Sequence, residues 1–94
     1  MPRLIHVLAF DNAQVLDVTG PLQVFASAND LARQRGAPLP YAVAVIAAQT
    51  APVMTSAGLA LVAEPLPAVD TPCDTLIIAG GDRKSTRLNS SHPL

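Results

Sequence analysis

Residues 9–25 read AFDNAQVLDVTGPLQVF, and this stretch predicts how the chain folds. The run that leads into it, LIHVLAF at residues 4–10, is apolar except for one histidine, as expected for a strand covered on both faces of a parallel sheet. Gly20-Pro21 predicts the start of a helix, because proline suits the first helical position. Asp17 lies between the two elements, which is a typical place for ligand and catalytic sites in α/β proteins.

The helix is predicted to run from Pro21 to Arg35. Gly20 is its predicted N-cap, and Gln23 stands where a capping partner would be. The apolar side chains that helical spacing places on one face are Leu22, Phe25, Ala26 and Ala32. Gly36 follows directly, and glycine readily adopts the left-handed conformation that ends many helices.

Three further apolar segments predict strands. YAVAVIA at residues 41–47 and TLIIA at residues 75–79 have the continuous apolar character of buried parallel strands. Residues 52–62 hold two short apolar runs on either side of a Ser-Ala-Gly turn, which predicts a hairpin. Residues 64–72 form a proline-rich connection. The order strand, helix, strand, hairpin, strand indicates the α/β class with a mainly parallel sheet.

Composition limits the classes of protein to which the chain can belong. It has 94 residues, half of them apolar, and a formal net charge of -1, which indicates one small domain at most and no nucleic-acid surface. No apolar run approaches the roughly 18 residues that span a membrane, and we expect no signal peptide. The single cysteine, Cys73, excludes an internal disulfide and fits a cytoplasmic protein.

Asp17 is the leading candidate for chemistry. A carboxylate beside the positive end of a helix can accept a proton or hold a ligand. The alternative, which composition alone favours, is an aspartate that bonds to nearby turn amides. Gly80-Gly81 is the second candidate, because glycines let a ligand approach the backbone and free amides there can stabilise an oxyanion. The alternative at the glycine pair is a tight strand-to-helix turn.

The cysteine and the histidines are weaker candidates for a functional site. Cys73 has no glycine elbow and no basic neighbour in sequence, so a small buried cysteine is favoured over a nucleophile. His6 lies inside the first predicted strand, where a core histidine is favoured over a ligand or base. The histidines and the cysteine show no metal-ligand spacing, and there is no phosphate-binding glycine motif. We therefore expect neither a metal nor a cofactor.

Three segments together resemble the ThiJ/PfpI superfamily, whose fold is of the class I glutamine amidotransferase type. They are AFDNAQVLDVTGPLQVF, VMTSAGLAL at residues 53–61 and DTLIIAGG at residues 74–81, and the resemblance extends over residues 3–81. It implies the N-terminal part of a flavodoxin-like sandwich of helices around a mainly parallel sheet, here truncated, and a homodimer for the full-length protein. In the enzymes of this superfamily, a cysteine on an elbow downstream of the glycine pair contacts an acid near the first helix.

One branch of the superfamily resembles this chain in two places. The helix segment VFASANDLAR at residues 24–33 and the hairpin segment APVMTSAGLALVAEPLP at residues 51–67 are similar to the sensor domain of GlxA-type AraC transcriptional regulators. Those proteins add a C-terminal helix-turn-helix pair that binds DNA. This resemblance favours a regulator whose small-molecule ligand is unidentified and whose DNA-binding domain is missing here.

The isonitrile hydratases are the second similar branch. The stretch Leu16-Asp17-Val18-Thr19-Gly20-Pro21 matches their pattern, in which the acid helps the cysteine add water to an isonitrile. If the full-length protein is an enzyme, the resemblance implies Asp17 as its catalytic acid. In either branch it implies Asp17, Gly80 and Gly81 as the lining of a ligand site. Because Asp17 occurs in both patterns, it does not decide between them.

The resemblance stops at Gly81. Residues 82–94, DRKSTRLNSSHPL, carry three basic side chains against one acid and show no helical or strand period. The string resembles one reading frame of a sequencing-library adapter. We therefore expect residues 1–81 to be a partial ThiJ/PfpI-type domain and residues 82–94 to be a non-native tail, the alternative being a divergent basic loop. Without the elbow cysteine, the chain as written is expected to have no catalytic activity.

Overall fold

A computed structural model describes residues 2–81, and the tail expected to be non-native lies outside them. The elements in chain order are β1 (Arg3–Leu8), α1 (Val15–Gln34), β2 (Tyr41–Ala47), β3 (Val53–Met54), β4 (Ala60–Leu61), β5 (Glu64–Pro65) and β6 (Thr75–Ile78). Within these residues, no helix has both the length and the apolar character needed to cross a bilayer.

Four of the strands form a parallel sheet in the order β5-β2-β1-β6. Val7 in the central strand β1 lies level with Val45 of β2 and Ile77 of β6. The chain moves from β1 to β2 on one side and later returns to β6 on the other side, so strand order reverses between β1 and β6. The order β2-β1-β6 is that of the first three strands in flavodoxin-like sheets. The predicted α/β class with a mainly parallel sheet is confirmed.

The remaining strands form the predicted hairpin and one strand that was not predicted. β3 and β4 pair in antiparallel fashion as a separate two-stranded sheet, with Val53 level with Leu61. β5 lies in the proline-rich connection and pairs with the end of β2 over two residues, Glu64 and Pro65. Periodicity cannot identify a strand of two residues, because alternation needs several residues to show.

The helix begins six residues before the position that the sequence predicts. α1 starts at Val15, so Asp17 lies in its first turn and not in a loop. Gly20 is therefore not the N-cap, and Pro21 lies inside the helix. A proline has no N–H, so the carbonyl four residues earlier, at Asp17, receives no helical hydrogen bond from it.

Packing of the first turn explains why the helix extends through a glycine and a proline. Val18 is almost completely buried, and it belongs to the hydrophobic core cluster. The Thr19 hydroxyl donates to the carbonyl of Val15 at 2.9 Å, which adds a local bond to the same turn. Most helical stability in proteins comes from packing of an apolar face, and here it outweighs the propensities of glycine and proline.

The end of the helix agrees with the prediction to within one residue. Gly36 has a φ of 70°, in the left-handed region. Its N–H donates to the carbonyl of Arg33 at 3.0 Å, and the N–H of Ala37 donates to the carbonyl of Ala32 at 2.9 Å. These two bonds form a Schellman motif, which satisfies carbonyls that the helix itself leaves without partners.

Side chains of α1 fasten the helix to the start of β2. The side-chain amide of Asn29 accepts from the N–H of Tyr41 at 3.1 Å and donates to its carbonyl at 3.0 Å. The Phe25 ring meets the Tyr41 ring edge-on, with 4.7 Å between centroids. Of the four predicted core-facing residues, three are half-buried: Leu22, Phe25 and Ala32. Ala26 is exposed, so that part of the prediction is wrong.

The core lies on the face of the sheet that carries α1. Its buried residues are Val7, Ala9, Ala13, Val18, Ala47, Val53 and Ala79. Side chains alternate along a strand, so His6 and Leu8 lie on the other face, where both are half-buried. In residues 2–81 no helix covers that second face. The expectation that residues 75–79 form a buried strand is therefore wrong for Leu76 and Ile78, which are 51% and 64% exposed.

Candidate functional site

The candidate site lies at the carboxyl end of β1, where three chain segments meet. Residues 9–14 follow β1, residues 79–81 follow β6, and the β3–β4 hairpin packs against the first of these segments. This place is also where strand order reverses between β1 and β6. In open α/β sheets, ligands bind at the carboxyl ends of strands beside such a reversal, because neighbouring connections diverge there and leave a crevice.

The two candidates from the sequence are in contact. The N–H of Gly80 donates to Oδ2 of Asp17 at 2.8 Å. A Cβ built on Gly80 would lie 2.5 Å from the same oxygen, so a side chain there would displace the Asp17 carboxylate. The glycine therefore lets the carboxylate approach the backbone closely, and its role is not to supply a left-handed conformation. Asp17 also lies in the first turn of α1, where the helix dipole favours a negative charge.

The expectation of a free amide at Gly80 is wrong in this arrangement, because the Asp17 carboxylate occupies it. Gly81 differs: within residues 2–81 its N–H has no hydrogen-bond acceptor. Both glycine carbonyls are held by Gln14. The backbone N–H of Gln14 donates to the carbonyl of Gly80 at 2.8 Å, and its side-chain amide donates to the carbonyl of Gly81 at 3.3 Å. The corner therefore places the Asp17 carboxylate beside the glycine pair, with Gln14 bonded to both glycine carbonyls.

Asp11 fastens the hairpin to the segment that follows β1. Its Oδ1 accepts from the N–H of Met54 at 3.0 Å and from the side-chain amide of Gln49 at 3.2 Å. The N–H of Asn12 donates to the carbonyl of Met54 at 2.8 Å, and the N–H of Ser56 donates to the carbonyl of Ala13 at 2.9 Å. The hairpin and the glycine pair thus hold opposite sides of one short loop.

Sequence reasoning missed the contribution of this loop. Asn12 has a φ of 71°, a left-handed conformation that asparagine tolerates better than most residues. Asp-Asn directly after an apolar run is a turn signal that could have identified Asp11 and Asn12 as a structured corner. Nothing in the sequence pointed to Gln14, since its two contacts reach residues more than sixty positions away.

Cys73 does not belong to the site. It immediately precedes Asp74, which bonds to Leu4 at the amino ends of β6 and β1, so it lies at the opposite edge of the sheet. Its side chain is exposed, and the expectation of a small buried cysteine is wrong. The physical reason is that residues 66–74 run over the surface before β6 begins. No three His, Cys, Asp or Glu side chains in residues 2–81 are grouped as metal ligands would be.

Comparisons with known proteins agree with the fold. No family model matches the chain. An uncharacterised protein encoded in the cpoL 5′ region of Streptomyces lividans is 32% identical over 81 residues, which cover 86% of this chain and 53% of that protein. The crystal structure of an AraC family transcriptional regulator from Pseudomonas putida superposes with a TM-score of 0.73 at 23% identity, covering 87% of this chain and 49% of that one.

These matches support the α/β fold of the chain. The chain spans about half the length of both proteins that it matches. At 23% identity the likeness to the regulator concerns the fold, which a TM-score of 0.73 supports over most of the chain.

Proposed function

We propose that this chain is the N-terminal part of a ThiJ/PfpI-type ligand-sensing domain of a transcriptional regulator, with the Asp17–Gly80 corner as its small-molecule site. The contact between Asp17 and Gly80 is the observation that carries the proposal, because it joins two segments more than sixty residues apart at the place where such sheets bind ligands. The likeness in fold to the Pseudomonas putida regulator supports the regulator over an unrelated α/β protein.

In this proposal the corner senses a ligand by exchange of hydrogen bonds. A ligand N–H or O–H that bonds to Asp17 competes with the N–H of Gly80. The Gly81 N–H can donate to an acceptor on the same ligand. Release of Gly80 would free the end of β6, and whatever follows β6 in the full-length protein would receive the signal. The expected ligand is small and carries a hydrogen-bond donor beside an acceptor.

Binding of DNA requires a segment beyond residue 81. A helix-turn-helix pair with a basic face needs roughly 100 further residues, and the described residues contain no such pair. We further propose that the full-length protein works in the cytoplasm as a homodimer without a metal or cofactor. Residues 82–94 are proposed to be translated adapter sequence.

The decisive experiment is to sequence the source locus through codon 81 and to express the full open reading frame. We expect the frame to continue into a cysteine-bearing elbow and then a helix-turn-helix. The expressed protein should retard DNA from upstream of its own gene, and Asp17→Ala should leave that binding intact while abolishing any response to small-molecule extracts. A locus that encodes residues 82–94 and then stops would refute both the tail and the regulator proposals.

A second candidate is a cysteine-dependent hydratase of the isonitrile hydratase type. The observation in its favour is that Asp17, within the stretch Leu16–Pro21, is held against the glycine pair as an acid of that chemistry would be. The full-length protein would then convert an alkyl isonitrile to the N-substituted formamide, and Asp17→Asn would remove that activity. Activity in residues 1–94 alone would contradict the expectation that the elbow cysteine is needed.

A further inference from the structure

The two edges of the four-stranded sheet differ in how well they are protected against pairing with another strand. At one edge lies β5, which consists only of Glu64 and Pro65. Proline has no N–H to offer a neighbouring strand, and a charged residue at an edge opposes association. At the other edge lies β6, whose sequence, TLII, contains no proline and no charged residue. The edge at β6 is therefore the one that can accept another strand.

The outer edge of β6 carries backbone groups that do not face β1. The N–H of Ala79 donates to the carbonyl of Leu8 in β1 at 3.2 Å. Because successive residues of a strand direct their backbone groups to opposite sides, Ile77 also faces β1, whereas Leu76 and Ile78 face outward. Within residues 2–81, no strand lies on that outer side. The side chains of Leu76 and Ile78 are 51% and 64% exposed, so this edge is accessible to another strand.

A second copy of the chain is the occupant that this edge fits. Helix α1 packs on β2 and β1, in the middle of the sheet, and so leaves room beside β6. Residues 82–94 show no strand period in their sequence, so they do not predict an occupant. A second copy brings an identical β6 with the same outward groups. Two such edges related by a two-fold axis pair antiparallel, and the assembly closes as a dimer because the β5 edge is protected.

One antiparallel register satisfies both the backbone and the side chains. When Ile77 lies on the two-fold axis, Leu76 of each copy is opposite Ile78 of the other. Outward-facing residues that lie opposite each other exchange two N–H···O bonds, so the two positions together supply about four bonds. The same pairs place leucine against isoleucine on the sheet face that no described helix covers. An axis through Leu76 would instead place Asp74 opposite Ile78, a charged side chain against an apolar one.

We propose that the outer edge of β6 is a homodimer interface, at which a second copy adds its own β6 in antiparallel fashion, centred on Ile77. The two four-stranded sheets then form one continuous sheet. The paired segment is about 14 Å long, which places the contact among small and weak interfaces. We therefore expect a dissociation constant on the order of 100 µM. The contact uses neither Asp17 nor Gly80, so its failure would leave the proposed function untouched.

The first test is amide hydrogen exchange of the full 94-residue chain, at concentrations well below and well above this dissociation constant. The N–H groups of Leu76 and Ile78 should exchange at least about threefold more slowly at the higher concentration, because they gain partners only in the dimer. The N–H of Ile77 faces β1 at every concentration and should change less. A dimer in which Leu76 and Ile78 exchange as fast as in the monomer would overturn the proposal, and so would a chain that stays monomeric.

A matched pair of variants separates backbone pairing from apolar packing. Ile78→Pro removes an outward N–H, whereas Ile78→Val keeps that N–H beside an apolar side chain of similar size. Sedimentation velocity should show a dissociation constant raised at least about tenfold by Ile78→Pro and less than about twofold by Ile78→Val, because each lost bond occurs twice in a symmetric dimer. Protection of the Ala79 N–H, which bonds to β1, shows whether the strand still forms in each variant. Equal effects of the two substitutions would mean that the dimer forms by packing of the exposed sheet face, and the proposal would be wrong.

Cross-linking tests the register independently. In a Cys73→Ser background, Leu76→Cys and Ile78→Cys should form a disulfide dimer efficiently when mixed, since residues opposite each other in antiparallel strands have Cα atoms about 5.5 Å apart. Each variant alone should cross-link poorly, because its two cysteines then lie two residues out of register. Both positions are exposed, so the substitutions leave the core intact. Cross-linking of either variant with itself as efficiently as in the mixture would exclude this register and with it the proposal.

Discussion

Ile77 and Ile78 are adjacent in β6, yet they lie in different surroundings. Ile77 packs against the core on the face that carries α1, whereas Ile78 is 64% exposed on the opposite face. The same contrast holds in β1, where Val7 is fully buried and its neighbour His6 only half-buried, whereas in β2 Ile46 lies on the second face and is buried. The two faces have similar apolar sequences, so the difference arises from what covers each face. One face behaves as a core and the other as an unfilled interface.

The largest expected effect comes from placing a charge on each face in turn. Val18→Asp buries a carboxylate in the core cluster and should cost about 4 kcal/mol or more, which is enough to unfold a chain of this size. The matched change on the other face, Ile78→Asp, should alter the free energy of unfolding by less than about 0.5 kcal/mol. Urea unfolding followed by circular dichroism measures both. Equal losses would show that the second face is also a packed core.

Ile78→Asp should in addition reduce self-association through the uncovered face. Exposed apolar strands at a sheet edge are prone to association, and a charge opposes it. Light scattering of concentrated samples should show less aggregate for this variant than for the parent chain. A parent chain that stays monomeric in concentrated samples would contradict the prediction that the uncovered face drives self-association.

A smaller effect is expected at the candidate site. Gly80→Ala places a methyl group within 2.5 Å of the Asp17 carboxylate and should cost about 2 kcal/mol. Gly20→Ala is the matched control: apart from its chain neighbours a methyl group there meets nothing within 4 Å. The gain in helix propensity is opposed by Pro21, because a residue with a Cβ is disfavoured in helical conformation before a proline, so we expect a change below about 0.5 kcal/mol. The double variant Asp17→Ala with Gly80→Ala should recover part of the loss. If the losses of stability in the two single variants simply add in the double variant, Asp17 and Gly80 are not energetically coupled.

The attachment of the hairpin through Asp11 should contribute less to the free energy of unfolding than the contact between Asp17 and Gly80. Asp11→Ala removes the acceptor of the Met54 N–H and should cost about 1 kcal/mol, since the bond is exposed to water. Hydrogen exchange should accelerate at Met54 and, through the shared loop, at Gly80. Asp11→Asn keeps a side-chain oxygen and should restore most of the protection. Faster exchange at Met54 with an unchanged rate at Gly80 would show that the hairpin and the glycine pair are independent.

The smallest effect is expected on the outer edge of α1. Asp30→Ala breaks an ion pair in which both side chains are more than half exposed. Pairs of this kind contribute about 0.3–0.5 kcal/mol, and added salt should reduce the difference further. Thermal unfolding at low and high ionic strength measures it. A loss above about 1 kcal/mol would mean that this edge of the helix is buried against another surface.

Local sequence signals identified the elements whose determinants are close together in the chain. β2 has the predicted bounds, because seven consecutive apolar residues fit a central parallel strand. The glycine stop of α1 and the hairpin were predicted for the same reason. The start of α1 was not predicted correctly. Gly20 and Pro21 are typical of a helix start, but the packing of Val18 extends the helix to Val15.

The candidate site was only half predictable. Asp17 and Gly80-Gly81 could be singled out, because they lie near predicted strand ends and match the superfamily pattern, whereas composition alone favoured a turn aspartate. That Asp17 occupies the Gly80 amide, and that Gln14 holds both glycine carbonyls, depends on the register of β1 with β6. Register is set by the packing of whole strands and cannot be calculated from two distant short segments.

The sequence by itself determined the class of fold, the strands other than β5, the end of the helix and the residue types where strand order reverses between β1 and β6. These follow from periodicity, propensity and turn chemistry, which act over a few residues. Only the tertiary structure decided which face of the sheet is a core, where α1 begins, and that Asp17 meets Gly80. Those outcomes depend on contacts between segments far apart in the chain, where burial and close approach outweigh local preference.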